Sequence, residues 1–284
     1  MPLAVAGILL GLIPGKGEAV PLMAAILTVL TAISLQVLSN FANDLGDTEN
    51  GADQYRTKGP SRAVQSGALS DASMKKAVVI TGAISFIMGF LLLYFTLWSQ
   101  GRMLEFFGFL LIGCGGIWAA YHYTAGERPY GYRGWGDVSV FLFFGIIAVL
   151  GTHYLIYQAW NGTIFLLAFM QGALSSMVLH LNNMRDFEDD QRAGKITLAI
   201  KLGWSKSIAY FLILGCLSFV FLLIFLIMLD SNWGYFSLLP WLILFGLMKK
   251  VSKADGETKL DGDLKKVALS SFFIALCLFL TSIS

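Results

Sequence analysis

Two polar strings interrupt an otherwise apolar chain. One is SNFANDLGDTENGAD at residues 39–53; the other is HLNNMRDFEDD at residues 180–190. In the first, Asn40, Asn43, Asp44 and Asp47 fall at i, i+3, i+4 and i+7, which is one face of a helix. In the second, Asn182, Asp186 and Asp190 fall at i, i+4 and i+8, with Asn183 three residues before Asp186. Each string therefore predicts a helix end striped with oxygen ligands. Like charges at i, i+4 destabilise an isolated helix by a few tenths of a kcal/mol. Carboxylates at the edge of hydrocarbon cost roughly a few kcal/mol each unless they face a partner or a wet cavity. A hard cation relieves both penalties. A donor set of carboxylate and amide oxygens favours magnesium or calcium over zinc.

Magnesium usually keeps part of its coordination for water and phosphate oxygens, which points to a diphosphate ligand. Cationic residues follow both strings, Lys58 and Arg62 after the first and Arg192 and Lys195 after the second. Lys and Arg are the usual complement to a diphosphate. The plainer reading is that these are solvated charges flanking membrane helices. Two matching strings, each followed by basic residues, weigh against it. Asn43-x3-Asp47 also aligns with Asn182-x3-Asp186, an offset of 139 residues, close to half the chain. A weak duplication of halves near 1–137 and 138–284 within one domain is the corresponding expectation.

The elements that must position these residues are membrane helices. Of the 284 residues, 56% are hydrophobic and only 13% are charged, against about 25% charged in soluble domains. The net charge of +2 is too small to suggest a nucleic-acid partner. Apolar blocks near the length of a membrane span lie at Ala19–Ser39, Ala77–Trp98, Met103–Tyr121, Val138–Gln158, Thr163–Leu181, Ile208–Leu229, Tyr235–Leu247 and Ala268–Ile283. A further block, Pro2–Ile13, is too short to cross. The prediction is an all-α polytopic membrane protein of about nine helices, in contact with lipid.

Four alternate connections, Asn43–Lys76, His122–Asp137, Asn183–Lys206 and Lys249–Lys266, hold 18 of the 20 basic residues. Basic residues resist translocation, so that side is predicted to be cytoplasmic. The same connections hold 15 of the 18 acidic residues, so both polar strings open on that face. Cys114, Cys216 and Cys277 are scattered in apolar blocks without CxxC spacing, and read as inert buried thiols. His122, His153 and His180 read as packing or interfacial residues. Asp137 reads equally as an N-cap or as an acid projecting toward the polar strings.

At these residues the sequence resembles the UbiA superfamily of intramembrane prenyltransferases, whose two Asp-rich motifs have the NxxxDxxxD form. SNFANDLGDTENGAD, GPSR, YTAGERPYGYRGWGD and NNMRDFEDDQRAGKITLAIKLG occur in order and are similar to the branch that prenylates 1,4-dihydroxy-2-naphthoate, the MenA type. The resemblance implies nine helices around a central cavity, with both motifs at its cytoplasmic mouth. It implies Mg²⁺-dependent transfer of a polyprenyl chain from polyprenyl diphosphate to 1,4-dihydroxy-2-naphthoate, with decarboxylation to demethylmenaquinone. It also implies a bacterial inner membrane.

Carried over by motif, Asn43, Asp47, Asp186 and Asp190 are the principal metal ligands. Asp44, Asp53 and Asn182 support them, and Arg62, Lys195 and Arg128 contact the diphosphate. Position 51, where a third acid of the first motif would stand, is Gly51, so Asp53 takes its place. The branch begins with a short basic stretch, whereas this chain starts at Met1-Pro-Leu-Ala, which raises the expectation of a shortened start. Two other readings remain at this level. One is a different aromatic acceptor such as 4-hydroxybenzoate. The other is a divalent-cation transporter, although transporter sites usually lie near the bilayer midplane.

Overall fold

The computed structural model describes residues 1–15, 18–55, 63–229, 231–255 and 260–283, the Asp53 side chain apart. Among them there is no strand. Helix α1 (Pro2–Gly11) is followed by α2 (Leu22–Glu49), α3 (Asp71–Thr96), α4 (Met103–His122), α5 (Gly136–Tyr157) and α6 (Gly162–Arg185). After these come the short α7 (Phe187–Arg192) and α8 (Leu198–Leu202), then α9 (Trp204–Met228), α10 (Asn232–Ser252) and α11 (Asp263–Ile283). Eight of these are long and apolar enough to cross a membrane. They match the eight long apolar blocks, and α1, at ten residues, is too short to cross, as its sequence predicted.

Helix α2 runs unbroken from its apolar block through the first polar string to Glu49, as the helical spacing of Asn40, Asn43, Asp44 and Asp47 predicts. Its 28 residues span about 42 Å at 1.5 Å each, against about 30 Å of hydrocarbon. The turn bearing Asn43, Asp44 and Asp47 can therefore stand clear of the hydrocarbon core. The second string does not form one continuous helix. Helix α6 ends at Arg185, Asp186 sits at φ −92° and ψ 12°, and α7 begins at Phe187. The straight i, i+4, i+8 stripe is broken at its middle carboxylate.

The chain divides into two compact units. The first comprises residues 1–21, 137–185 and 198–284. Within it α6 packs on α9, α5, α11 and α1. Of the membrane-length window of α6, 72% is buried. Small residues allow the close approaches: a Cβ on Gly145 of α5 would lie 2.5 Å from the Gly172 Cα of α6. Membrane helices use such small-residue contacts because packing, not hydrophobic exclusion, holds them together. Gln171 links three helices, donating to the Leu3 carbonyl at 3.1 Å and accepting from Ser271 Oγ at 2.8 Å. Asp137 and His180 are both buried here, with Asp137 Oδ1 3.4 Å from His180 Nδ1 and the Tyr210 ring edge-on to the imidazole. His153 Nδ1 lies 3.2 Å from the Gly11 carbonyl, consistent with a packing role.

The second unit comprises residues 22–136 and 186–197. Leu38 and Leu45 of α2 pack with Met74 and Val78 of α3, and Ile117, Ala120 and Tyr121 of α4 close over them. Ser70 caps α3 by accepting from the Ser73 N–H. Gly101, at φ +75°, turns the chain between α3 and α4. The outer face of α4 is apolar and uncovered, with Leu104 85% and Leu111 75% exposed. Such a face is stable against lipid rather than water. Thr28, Thr31, Thr81 and Thr96 donate their hydroxyls to carbonyls four residues back, which satisfies them inside hydrocarbon.

Candidate functional site

The second unit gathers the chemically useful side chains. Asp47, on the last turns of α2, is 2% exposed. Its Oδ1 accepts from the Tyr132 hydroxyl and lies 3.0 Å from Lys195 Nζ. The same ammonium is 3.6 Å from Asp190 Oδ1 and sits 4.7 Å over the Tyr132 ring. A cation is thus already seated between one carboxylate from each polar string. Breaking such a buried pair from one side leaves an uncompensated charge, so these groups hold one another in place.

Backbone bonds set this geometry. Lys195 N–H donates to the Asp190 carbonyl at 2.9 Å, after Gly194 turns the chain at φ +72°. Ile196 N–H donates to the Tyr132 carbonyl at 2.9 Å, which ties the segment after α7 to the turn Tyr130–Arg133. That turn is held by Gly131 N–H on the Tyr123 carbonyl at 3.0 Å and by the Tyr130 hydroxyl on the Ala119 carbonyl at 3.0 Å.

A second set of bonds holds the face of α2. Thr124 Oγ1 reaches the Ala42 carbonyl and Asn43 Oδ1, both at 3.1 Å, and Asn50 Nδ2 donates to the Thr124 carbonyl at 2.8 Å. The helix can approach this segment only because residue 46 is glycine. A Cβ there would lie 2.4 Å from the Thr124 carbonyl carbon and 2.5 Å from the Ala125 nitrogen. Gly46→Ala is expected to lower stability by about 1–3 kcal/mol through overpacking against backbone, despite alanine's better helix propensity. Thermal unfolding in detergent reads this directly, and an unchanged or raised Tm would refute the close approach.

Burial pushes the Asp190 carboxyl up to about 6, opposed by Lys195 and assisted by the charges of Asp186 and Asp47. The folded value lies above that of an unfolded Asp, about 3.9. The group therefore favours folding fully below about pH 4, and that contribution fades as pH rises through 6. Cation binding needs the ionised form, so the sign reverses for a metal. Divalent-cation affinity is expected to rise with pH through about 6 and to fall about tenfold per unit below it. Calorimetric titration with Mg²⁺ between pH 5 and 8 tests this, and a flat affinity would remove Asp190 from the ligand set.

The remaining sequence-predicted residues are placed as follows. Asp44 Oδ2 accepts from the Ala63 N–H at 3.0 Å, so one of its oxygens anchors the chain segment after the GPSR motif. Asp186 lies close enough for its charge to raise Asp190. Asn182 belongs to the other unit, where its Oδ1 accepts from Arg185 Nη2 at 2.9 Å. Arg192 lies 3.9 Å from Glu188 on an exposed surface, and Arg128 is exposed. Lys58, Arg62 and the Asp53 side chain lie outside the described residues.

Among the described residues no three His, Cys, Asp or Glu side chains form a ready-made metal cage. Magnesium does not require one, because it binds through one or two carboxylates together with phosphate oxygens and water. The all-oxygen donor set and the ammonium held between Asp47 and Asp190 both fit such an ion. Sequence reasoning passed over Tyr132 and Thr124. Their signal was membership of the YTAGERPYGYRGWGD string, which carried the resemblance without assigning either residue a role.

Long apolar helices that expose large aliphatic side chains, with a buried carboxylate cluster at the polar end of one of them, define an integral membrane protein with a buried acidic cluster. The chain belongs to the UbiA prenyltransferase family, whose model matches residues 4–278. It is similar to a 1,4-dihydroxy-2-naphthoate octaprenyltransferase of Escherichia coli, 36% identical over 99% of this chain and 92% of the relative. A Haemophilus influenzae protein of the same name is 39% identical over 82% of this chain and 76% of that one. In fold it matches a UbiA homologue of Archaeoglobus fulgidus bound to DMAPP and Mg²⁺, with a TM-score of 0.64, 18% identity, and coverage of 99% of this chain and 93% of that one.

Proposed function

We propose that the protein transfers a polyprenyl chain from polyprenyl diphosphate to 1,4-dihydroxy-2-naphthoate in an Mg²⁺-dependent reaction. Carbon dioxide and diphosphate leave, and the product is demethylmenaquinone in its reduced, naphthoquinol form. The observation that carries the reading is the Asp47–Lys195–Asp190 cluster, which joins the two acidic strings of a chain 36% identical across 99% of its length to a named naphthoate prenyltransferase. The partition of basic residues supports placing the active-site mouth on the cytoplasmic side of a bacterial inner membrane.

Bound magnesium supplies Lewis-acid stabilisation of the departing diphosphate. Asp47, Asp186 and Asp190, with Asn43, would hold the metal, and Asp44 would brace them through Ala63. Lys195 brings a further positive charge to the diphosphate oxygens as the allylic C–O bond breaks. Arg62, carried over by motif, and Lys58, which precedes that motif in sequence, would add to it. The chain is rich in aromatic residues, with 22 Phe, 10 Tyr and 7 Trp. Apolar aromatic walls exclude water and stabilise an allylic cation through their ring faces. The carboxyl-bearing ring carbon attacks that cation. Its bond to the carboxylate then breaks, and the electron pair restores aromaticity as carbon dioxide departs.

Purified protein in detergent, given Mg²⁺, an all-trans polyprenyl diphosphate and carboxyl-labelled 1,4-dihydroxy-2-naphthoate, tests the reading. Magnesium-dependent release of labelled carbon dioxide with a prenylated product is the expected result. Product formed only from 4-hydroxybenzoate in a parallel reaction would overturn the acceptor and keep the chemistry.

A further inference from the structure

Asp47 Oδ1 is occupied twice. It accepts the Tyr132 hydroxyl and also the Lys195 ammonium at 3.0 Å. A carboxylate oxygen offers about two lone-pair sites, so a cation cannot use Oδ1 without displacing one of these donors. The two donors are not equally displaceable. Lys195 ends a flexible chain and has an alternative acceptor in Asp190 Oδ1 at 3.6 Å. The backbone of Tyr132 is held on both sides: its carbonyl accepts from Ile196 N–H at 2.9 Å and its own N–H donates to the Pro129 carbonyl at 3.2 Å. Its phenol, on a side chain with fewer rotatable bonds than lysine, is the donor less easily displaced from Asp47.

We propose that Tyr132 makes this site selective for magnesium over calcium, by occupying the Asp47 oxygen that a larger cation would take for two-oxygen chelation. The proposal rests on the reading of this cluster as the metal–diphosphate site. Calcium takes six to eight oxygens and readily uses both oxygens of one carboxylate, whereas magnesium is octahedral and takes one oxygen from each of one or two carboxylates. A carboxylate with one oxygen tied up suits the second ion and penalises the first. Outer partners of this kind orient a ligand, and their removal typically changes metal affinity by about 10–100-fold. The same phenol aims Asp47, so Tyr132 is a positioning residue and acts through that carboxylate.

Calorimetric titration of the purified full chain with MgCl₂ and with CaCl₂, with and without inorganic pyrophosphate, tests this in the wild type and Tyr132→Phe. The substitution removes one oxygen and keeps the ring under Lys195. The expected result is a preference for Mg²⁺ over Ca²⁺ in the wild type that shrinks by about tenfold or more in Tyr132→Phe. An unchanged ratio in a folded variant would overturn the proposal.

Should Tyr132→Phe fail to fold, infrared difference spectra of wild type against Asp47→Asn read the Asp47 carboxylate directly. A one-oxygen pattern with both Mg²⁺ and Ca²⁺ is expected, and a two-oxygen pattern with Ca²⁺ would overturn the proposal. Selective Mg²⁺ binding without prenyl transfer to either acceptor would sink the assigned reaction and leave the role of Tyr132 standing. Absence of Mg²⁺ binding in the wild type would sink both.

Discussion

Asp47→Ala is expected to reduce prenyl transfer by about 10²–10³-fold or more while the helices remain folded. Removing one group that stabilises transition-state charge typically costs that much. Asp47 carries more than an average share, because it meets both the phenol of Tyr132 and the ammonium of Lys195 from a position 2% exposed. Its loss removes a metal oxygen and unseats the cation meant for the diphosphate. Asp47→Asn separates these effects. The amide oxygen can still accept from Tyr132, but its lost charge weakens the hold on metal and on Lys195. The asparagine variant is therefore expected to retain more of the wild-type Tm than the alanine variant and to remain inactive. Helical circular dichroism and single-turnover product formation check both variants. Normal turnover in either one would refute the assignment of this carboxylate to the metal.

Lys195→Met is expected to show the second largest effect, and to show it twice. Without the ammonium, Asp47 and Asp190 face each other and the nearby charge of Asp186 with one compensating charge fewer. Removing one partner of a buried ion pair costs about 3–5 kcal/mol. The lower end applies here, since the Lys195 side chain is 15% exposed. Any ligand that binds only the folded state raises stability by mass action. Mg²⁺ should therefore raise the Tm of Lys195→Met more than that of the wild type, because the metal replaces the missing charge. The second effect is kinetic: the KM for polyprenyl diphosphate should rise about tenfold or more, the loss of one charge-assisted contact, while the KM for the naphthoate changes little. Unchanged Tm and unchanged KM together would refute the role given to this lysine.

The fold class was legible because hydrocarbon admits so few solutions. Backbone groups must be satisfied within each segment, so an apolar run of about 20 residues has one outcome. The eight long runs accordingly became eight membrane-length helices. The end of α2 was legible too, since the i, i+3, i+4, i+7 spacing predicted a helix through its polar string. What the spacing did not show is that Asn43, Gly46 and Asn50 on that helix meet the Thr124 segment. The second string misled. Its spacing suits one straight helix, but the structure breaks at Asp186, and Asp190 then comes to Lys195 through the turn at Gly194.

By itself the sequence determined the residue types available for chemistry, their grouping at the charged ends of membrane helices, and the oxygen-only donor set that points to a hard cation. These follow from local spacing and from transfer energies, which depend on each segment alone. Only the tertiary structure decided which of these residues meet. It brought Asp47 to Lys195 and Asp190 across more than 140 residues of chain, and turned Asp44 toward Ala63. It also set Tyr132, which lies in the YTAGERPYGYRGWGD motif but had been given no role, against the buried carboxylate of Asp47. Such meetings depend on close packing between distant segments, as where Gly46 admits Thr124, and no periodicity within one segment encodes them.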